Sequence, residues 1–189
     1  MIITELLEKN ARLYGGETSI VEINPSEERD KAVTWRDYSL IEHSMDAPYR
    51  REMSWSSFNR RANRFANLLL SRGVQRGAKV GILMMNCLEW LPIYFGILKA
   101  GCIAVPLNFR YSSKEIEYCL DLADVETLVF GPEFITRLEP IVGRLKKVKI
   151  LLFVGRDTPS FAESYKDLAG YYSWEAPAVD LTEEDPAAI

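Results

Sequence analysis

The stretch that most restricts what this chain can fold into runs from Lys79 to Leu107, KVGILMMNCLEWLPIYFGILKAGCIAVPL. It opens on an apolar run, Val80 to Met85, of strand length and without polar alternation, which predicts a strand buried on both faces. Asn86, with Glu89 three residues on, predicts the start of a helix closed by a capping box. The helix that follows is apolar on nearly every side (Leu88, Trp90, Leu91, Ile93, Tyr94, Phe95, Ile97, Leu98) and is expected to be enclosed. Pro92 falls inside it, where it is expected to remove a backbone bond and kink the helix. Lys99 suits the C-terminal end of the helix dipole, and Gly101 can take the left-handed stop. A second apolar run, Cys102 to Val105, ends at Pro106. Strand, helix, strand makes one βαβ crossover, which rules out an all-helical or all-antiparallel reading.

The rest of the chain extends this unit. Strand starts near Val80, Ile103, Glu126 and Lys149 recur every 23 residues, the rhythm of successive βαβ units in a parallel sheet. Upstream, Thr18 to Ile23 alternates enough to be a strand, and Ser54 caps a helix over Trp55–Arg72 whose stripe is Phe58, Ala62, Phe65 and Leu69. Arg60, Arg61, Arg64 and Arg72 lie off that stripe and read as solvating charge, because a polyanion site needs clustering as well as sign. Gly73 and Gly77 bracket the turn into the central strand. Downstream, Ser112 and Glu115 form a second capping box, for a helix from Ser113 to Ala123 that buries Ile116, Cys119, Leu120 and Ala123. Glu133–Leu145 is expected to be helical with a break at Pro140, and Val148–Val154 to be a further strand. Residues 25–51 keep no period and read as a surface insertion. The fold class is therefore α/β: three layers, with a largely parallel sheet and helices on both faces.

With 189 residues, 48% of them apolar, and a net charge of −4, the chain can bury a core but has no general electrostatic attraction for nucleic acid. No apolar run is long enough for a membrane span. The N-terminus lacks a basic region followed by an apolar one, and Cys87, Cys102 and Cys119 lie within apolar elements; reduced core thiols and a cytoplasmic location are expected. His43 is the single histidine and has no ligand grouping beside it, so no metal site is expected. The string GVQRGAKV precedes a strand instead of following one, which excludes a phosphate loop. No Ser–His–Asp set and no separated carboxylate pair is present, so residue types alone assign no catalytic residue.

Two motifs carry a family resemblance. Met53-Ser54-Trp55-Ser56-Ser57-Phe58 resembles the first core motif of the adenylate-forming enzymes, and Leu98-Lys99-Ala100-Gly101-Cys102-Ile103-Ala104-Val105-Pro106-Leu107 resembles the second. The likeness covers Ser54 to Val154 and returns at Glu184-Asp185-Pro186-Ala187-Ala188-Ile189. VPLNFRYS is closer to the acyl-CoA synthetases than to the VPIDP-like form of peptide-synthetase domains.

The resemblance implies a fold, the N-terminal α/β subdomain of an acyl-CoA synthetase spanning 1–189. It also implies a reaction, carboxylic acid plus ATP giving an acyl-adenylate and then a thioester with CoA. ATP, Mg2+ and CoA would serve the full-length enzyme, with none binding tightly to this chain alone. In the family the phosphate-gripping loop follows a segment like Asp185–Ile189, so the chain is expected to be a truncated, inactive piece whose main partner is the remainder of its own polypeptide. The uncovered edge is expected to favour a homodimer. The loop Asn108-Phe109-Arg110 would lie at the mouth of the CoA channel, Arg110 as the charge and Phe109 as the wall. The competing reading is a self-contained α/β domain for nucleotide binding or protein interaction.

Overall fold

Alternating apolar side chains on the same strands, facing two ways, set the architecture. The structure, a computed structural model, describes residues 2–23 and 50–189. The expected insertion at 25–51, with His43, lies outside the described residues except for its last two, and those two belong to a strand. Helix α1 (Ile3–Leu13) leads to β1 (Thr18–Ile23), which pairs antiparallel with β2 (Arg50–Ser54). The second sheet comprises β3 (Lys79–Leu83), β4 (Ile103–Pro106), β5 (Val125–Phe130), β6 (Ile150–Phe153) and the two-residue β7 (Glu163–Ser164). Its order is β4-β3-β5-β6-β7 with every pairing parallel. The helices are α2 (Trp55–Ser71), α3 (Trp90–Lys99), α4 (Ser113–Leu122), the single turn α5 (Ile135–Leu138) and α6 (Tyr165–Ala169).

The three layers follow from side-chain alternation along the strands. Val80, Ile82 and Met84 of β3 and its exit point to the face covered by Phe65, Leu68 and Leu69 of α2 and Ile93 and Ile97 of α3. Leu83, with Leu128 and Phe130 of β5, points to the opposite face, covered by Ile116 and Leu120 of α4 and by Phe134 and Leu138. Burying each such aliphatic or aromatic side chain contributes roughly 1.5–3 kcal/mol, so these two clusters outweigh local propensity. The closest helix contact is α2 on α3. A Cβ on Gly96 would meet the Ala62 carbonyl oxygen at 2.7 Å and Phe65 Cβ at 2.8 Å.

Several boundaries match their local signals. Ser54 Oγ accepts from Ser57 N at 3.3 Å to cap α2. Ser112 and Glu115 exchange both bonds of a capping box on α4. Gly101 takes φ 71°, the left-handed stop after α3. The α3 N-terminus differs from expectation: the helix begins at Trp90, and Glu89, not Asn86, stands at its cap without a side-chain bond. Pro92 therefore sits in the first turn, where its missing N–H had no helical partner to lose, so the expected kink has no cause. Glu133–Leu145 is not one interrupted helix; it divides into a 3-10 turn at Pro132–Phe134, α5, and a second 3-10 turn at Val142–Arg144. Lys99 is more than a dipole partner. It is 2% exposed, and its Nζ reaches Glu8 Oε1 of α1 at 2.5 Å. At the far end, Ala188 forms a parallel bridge with Ala104. Ala104 N donates to Ala187 O at 3.0 Å and Ile189 N donates to Ala104 O at 3.1 Å, which covers the free edge of β4.

Candidate functional site

Where neighbouring parallel strands send their exits to opposite faces, the loops part and leave a crevice at the C-terminal edge of the sheet. Here β3 exits to α3 on one face, while its neighbour β5 exits to Phe134 and α5 on the other. A cavity of about 370 Å³ lies at that point, between Met84–Cys87 after β3 and Gly131–Glu133 after β5, and reaches Val154–Asp157 after β6.

Its charged lining converges from separate segments. Glu22 of β1 is 8% exposed and lies 3.8 Å from Arg51 of β2. Arg51 also stands 3.9 Å from Glu89, and Arg61 of α2 donates to the same Glu89 oxygen at 3.1 Å. The linkage pins the β1–β2 pair against the start of α3. Burial raises the Glu133 carboxyl above its ordinary range. Burial also pushes the Cys87 thiol far up, and the nearby Glu89 charge adds to this. Burial likewise pushes the Cys102 thiol up, to about 11. All three cysteines are free thiols.

The loop Asn108-Phe109-Arg110 follows β4 at the same edge of the sheet. Asn108 Oδ1 accepts from Arg110 N at 2.9 Å, a local turn that any Asn-initiated loop can form. Phe109 packs beneath it on the α4 side, and the Arg110 guanidinium lies 5.3 Å from the Phe109 ring centre. The loop is held by a residue that sequence reading passed over. Arg137 of α5 donates to the carbonyl oxygens of Phe109 at 2.6 Å and Tyr111 at 3.2 Å. The sequence carried no sign of this, because Arg137 and its partners lie 28 and 26 positions apart.

The fitness of the described residues for ATP and a metal can be judged from their donors. Among them no group of three or more His, Cys, Asp or Glu could hold a metal ion. The cavity at the switch point presents Glu22, Glu89, Glu133 and Asp157 against Arg51 and Arg156, an excess of carboxylates that disfavours a triphosphate there. Neither Mg2+ nor the ATP phosphates fit this cavity. No helix among the described residues is long and apolar enough to cross a membrane.

Comparison with known proteins places this scaffold. The chain is 30% identical over 168 residues to a medium/long-chain-fatty-acid–CoA/3-oxocholest-4-en-26-oate–CoA ligase of Mycobacterium marinum, covering 84% of this chain and 30% of that protein. A crotonobetaine/carnitine–CoA ligase of Salmonella paratyphi B is 37% identical over 84 residues, 44% of this chain and 16% of the relative. The chain thus spans about 30% of the length of the first of these relatives. Among solved structures, an anthranilate CoA ligase in complex with anthranoyl-AMP superposes with a TM-score of 0.79 at 25% identity, over 98% of this chain and 31% of the other. A Mycobacterium tuberculosis fatty acyl CoA synthetase gives 0.75 at 21% identity over 98% and 31%, a likeness of fold alone. The family model for AMP-binding enzymes matches residues 27–189, and with the parallel sheet and the LKAG crossover in place the chain belongs to that family.

Proposed function

We propose that this chain is the N-terminal α/β subdomain of a longer AMP-forming acyl-CoA synthetase, with 1–189 as one structural unit. The longer enzyme joins a carboxylic acid, of the fatty or another apolar class, to ATP as an acyl-adenylate and then transfers the acyl group to the thiol of CoA. The observation that carries this reading is the 30% identity over 168 residues to a fatty-acid–CoA ligase of which the chain spans 30%. Adenylation depends on positioning and on stabilising phosphate charge. Because the switch-point cavity carries an excess of carboxylates and the described residues hold no cluster for a metal ion, the groups that bind ATP and Mg2+ are assigned to downstream polypeptide and the chain alone is taken as inactive. Its own part is to hold the C-terminal edge of the sheet rigid.

In the same reading Asn108, Phe109 and Arg110 form the mouth of the path taken by CoA, with Arg137 positioning the loop through two carbonyl oxygens. The enzyme works in the cytoplasm. Pyrophosphate release from ATP by the chain extended with its natural downstream sequence, over a panel of acids with and without CoA, tests the reading. Acid-dependent release followed by CoA-dependent thioester is the expected result. Nucleotide binding by the 189-residue chain without any acid-dependent release from the extended protein would favour a self-contained binding domain.

A further inference from the structure

Of the three arginines of α2 and the fourth at its C-cap, three have partners and one has none among the described residues. Arg60 stacks 5.0 Å from the Trp174 ring centre, Arg61 bonds Glu89, and Arg72 makes a two-bond fork with Glu163 at 2.8 and 2.6 Å. Arg64 Nε is buried and has no hydrogen-bond partner among the described residues. The side chain as a whole is half-buried; an enclosed Nε donor left unmet is costly, so an acceptor for this residue bonds its outer guanidinium nitrogens.

Arg64 lines a cavity of about 320 Å³ between α2, the exit of β6 and α6. Arg51, Arg61 and Lys166 line it too, and Glu89 is the single carboxylate among the lining residues. Glu22 stands behind Arg51. The walls are Val154, Gly155, Tyr165, Ala169 and Gly170, and a Cβ on Gly170 would meet nothing within 4 Å. Four cations against Glu89 and Glu22 leave a local excess of two, which a dianion neutralises better than a monoanion, and guanidinium forks match phosphate oxygens. The volume is at the small end of ligand pockets.

We propose that this cavity binds the phosphate group of a small ligand, with Arg64 and Lys166 contacting the phosphate and Arg51 and Arg61 supplying the field. The proposal does not depend on the ligase reading, since it rests on β2, α2, the exit of β6 and α6 and on none of Asn108, Phe109 and Arg110.

The test is a calorimetric titration of the 189-residue chain with inorganic phosphate at fixed ionic strength. Arg64→Gln is expected to weaken binding by about tenfold or more, the scale of losing a charge-assisted bond. Lys166→Gln, at the exposed rim, is expected to weaken it about threefold. Lys146→Gln removes the same charge from a different surface and is expected to leave the affinity unchanged. If Arg64→Gln fails to fold, the contrast between Lys166→Gln and Lys146→Gln decides. A parallel arm uses phosphatidylcholine vesicles containing phosphatidic acid: Lys166-dependent sedimentation would assign the phosphate to a lipid headgroup, and its absence to a soluble ester, both supporting the site. Wild-type protein that takes up no phosphate, or Lys166 and Lys146 variants of equal affinity, would overturn it.

Discussion

Among single residues, Lys99 sets charge against burial most directly. Its side chain is 2% exposed, and desolvation lowers its pKa while the bond to Glu8 works in the other direction. Removing one partner of such a pair leaves a buried charge uncompensated, whereas replacing the lysine with an apolar chain of similar length does not. Glu8→Gln is therefore expected to destabilise the fold more than Lys99→Met, as read by urea midpoints. The reverse order would mean that the α1 contact contributes nothing to holding Lys99 in place. Gly96 gives the steric counterpart. With Ala62 O and Phe65 Cβ inside 3 Å of any added methyl, Gly96→Ala should cost about 1–3 kcal/mol through overpacking. A loss below about 0.5 kcal/mol, the size of a neutral surface change, would show that α2 and α3 can separate freely.

The helices divide by whether their boundary signals are local. For α4, the serine and glutamate of the capping box are three residues apart and were legible in the sequence. Ser112→Ala should cost about 1 kcal/mol, measured by denaturant unfolding. Bonds from Ser112 N and Oγ hold the Glu115 carboxyl below its ordinary value of 4.5. A carboxyl whose folded pKa is depressed contributes stability that is complete above its unfolded value and is lost as pH falls through the folded one. Glu115→Gln should flatten the stability profile in that acid window and leave its shape at neutral pH unchanged. Where the deciding partner is remote, the sequence was silent. The start of α3 was misread at Asn86 because Glu89 is held instead by Arg61, 28 positions away, and by Arg51 of β2. The pairing of β1 with β2 joins residues more than 25 positions apart, and β7 has only two residues, too few to show a period.

For the molecule as a whole, the parallel sheet could be read from apolar runs spaced at a fixed interval, because its central strands β3 and β5 are buried on both faces and advertise it. The crevice could not. Its lining comes from β1, β2, the start of α3 and the exits of β5 and β6, and no window of sequence contains them together. The loop Asn108–Arg110 was legible as a loop after a strand, while its anchor Arg137 was not. On the proposed function this chain is a scaffold, and the groups that activate a carboxylate lie in polypeptide beyond it. The most direct measurement is pyrophosphate release by the purified 189-residue chain given ATP, Mg2+ and organic acids. The account predicts release no faster than from heat-denatured protein. Sustained, acid-dependent release from the folded chain would contradict it.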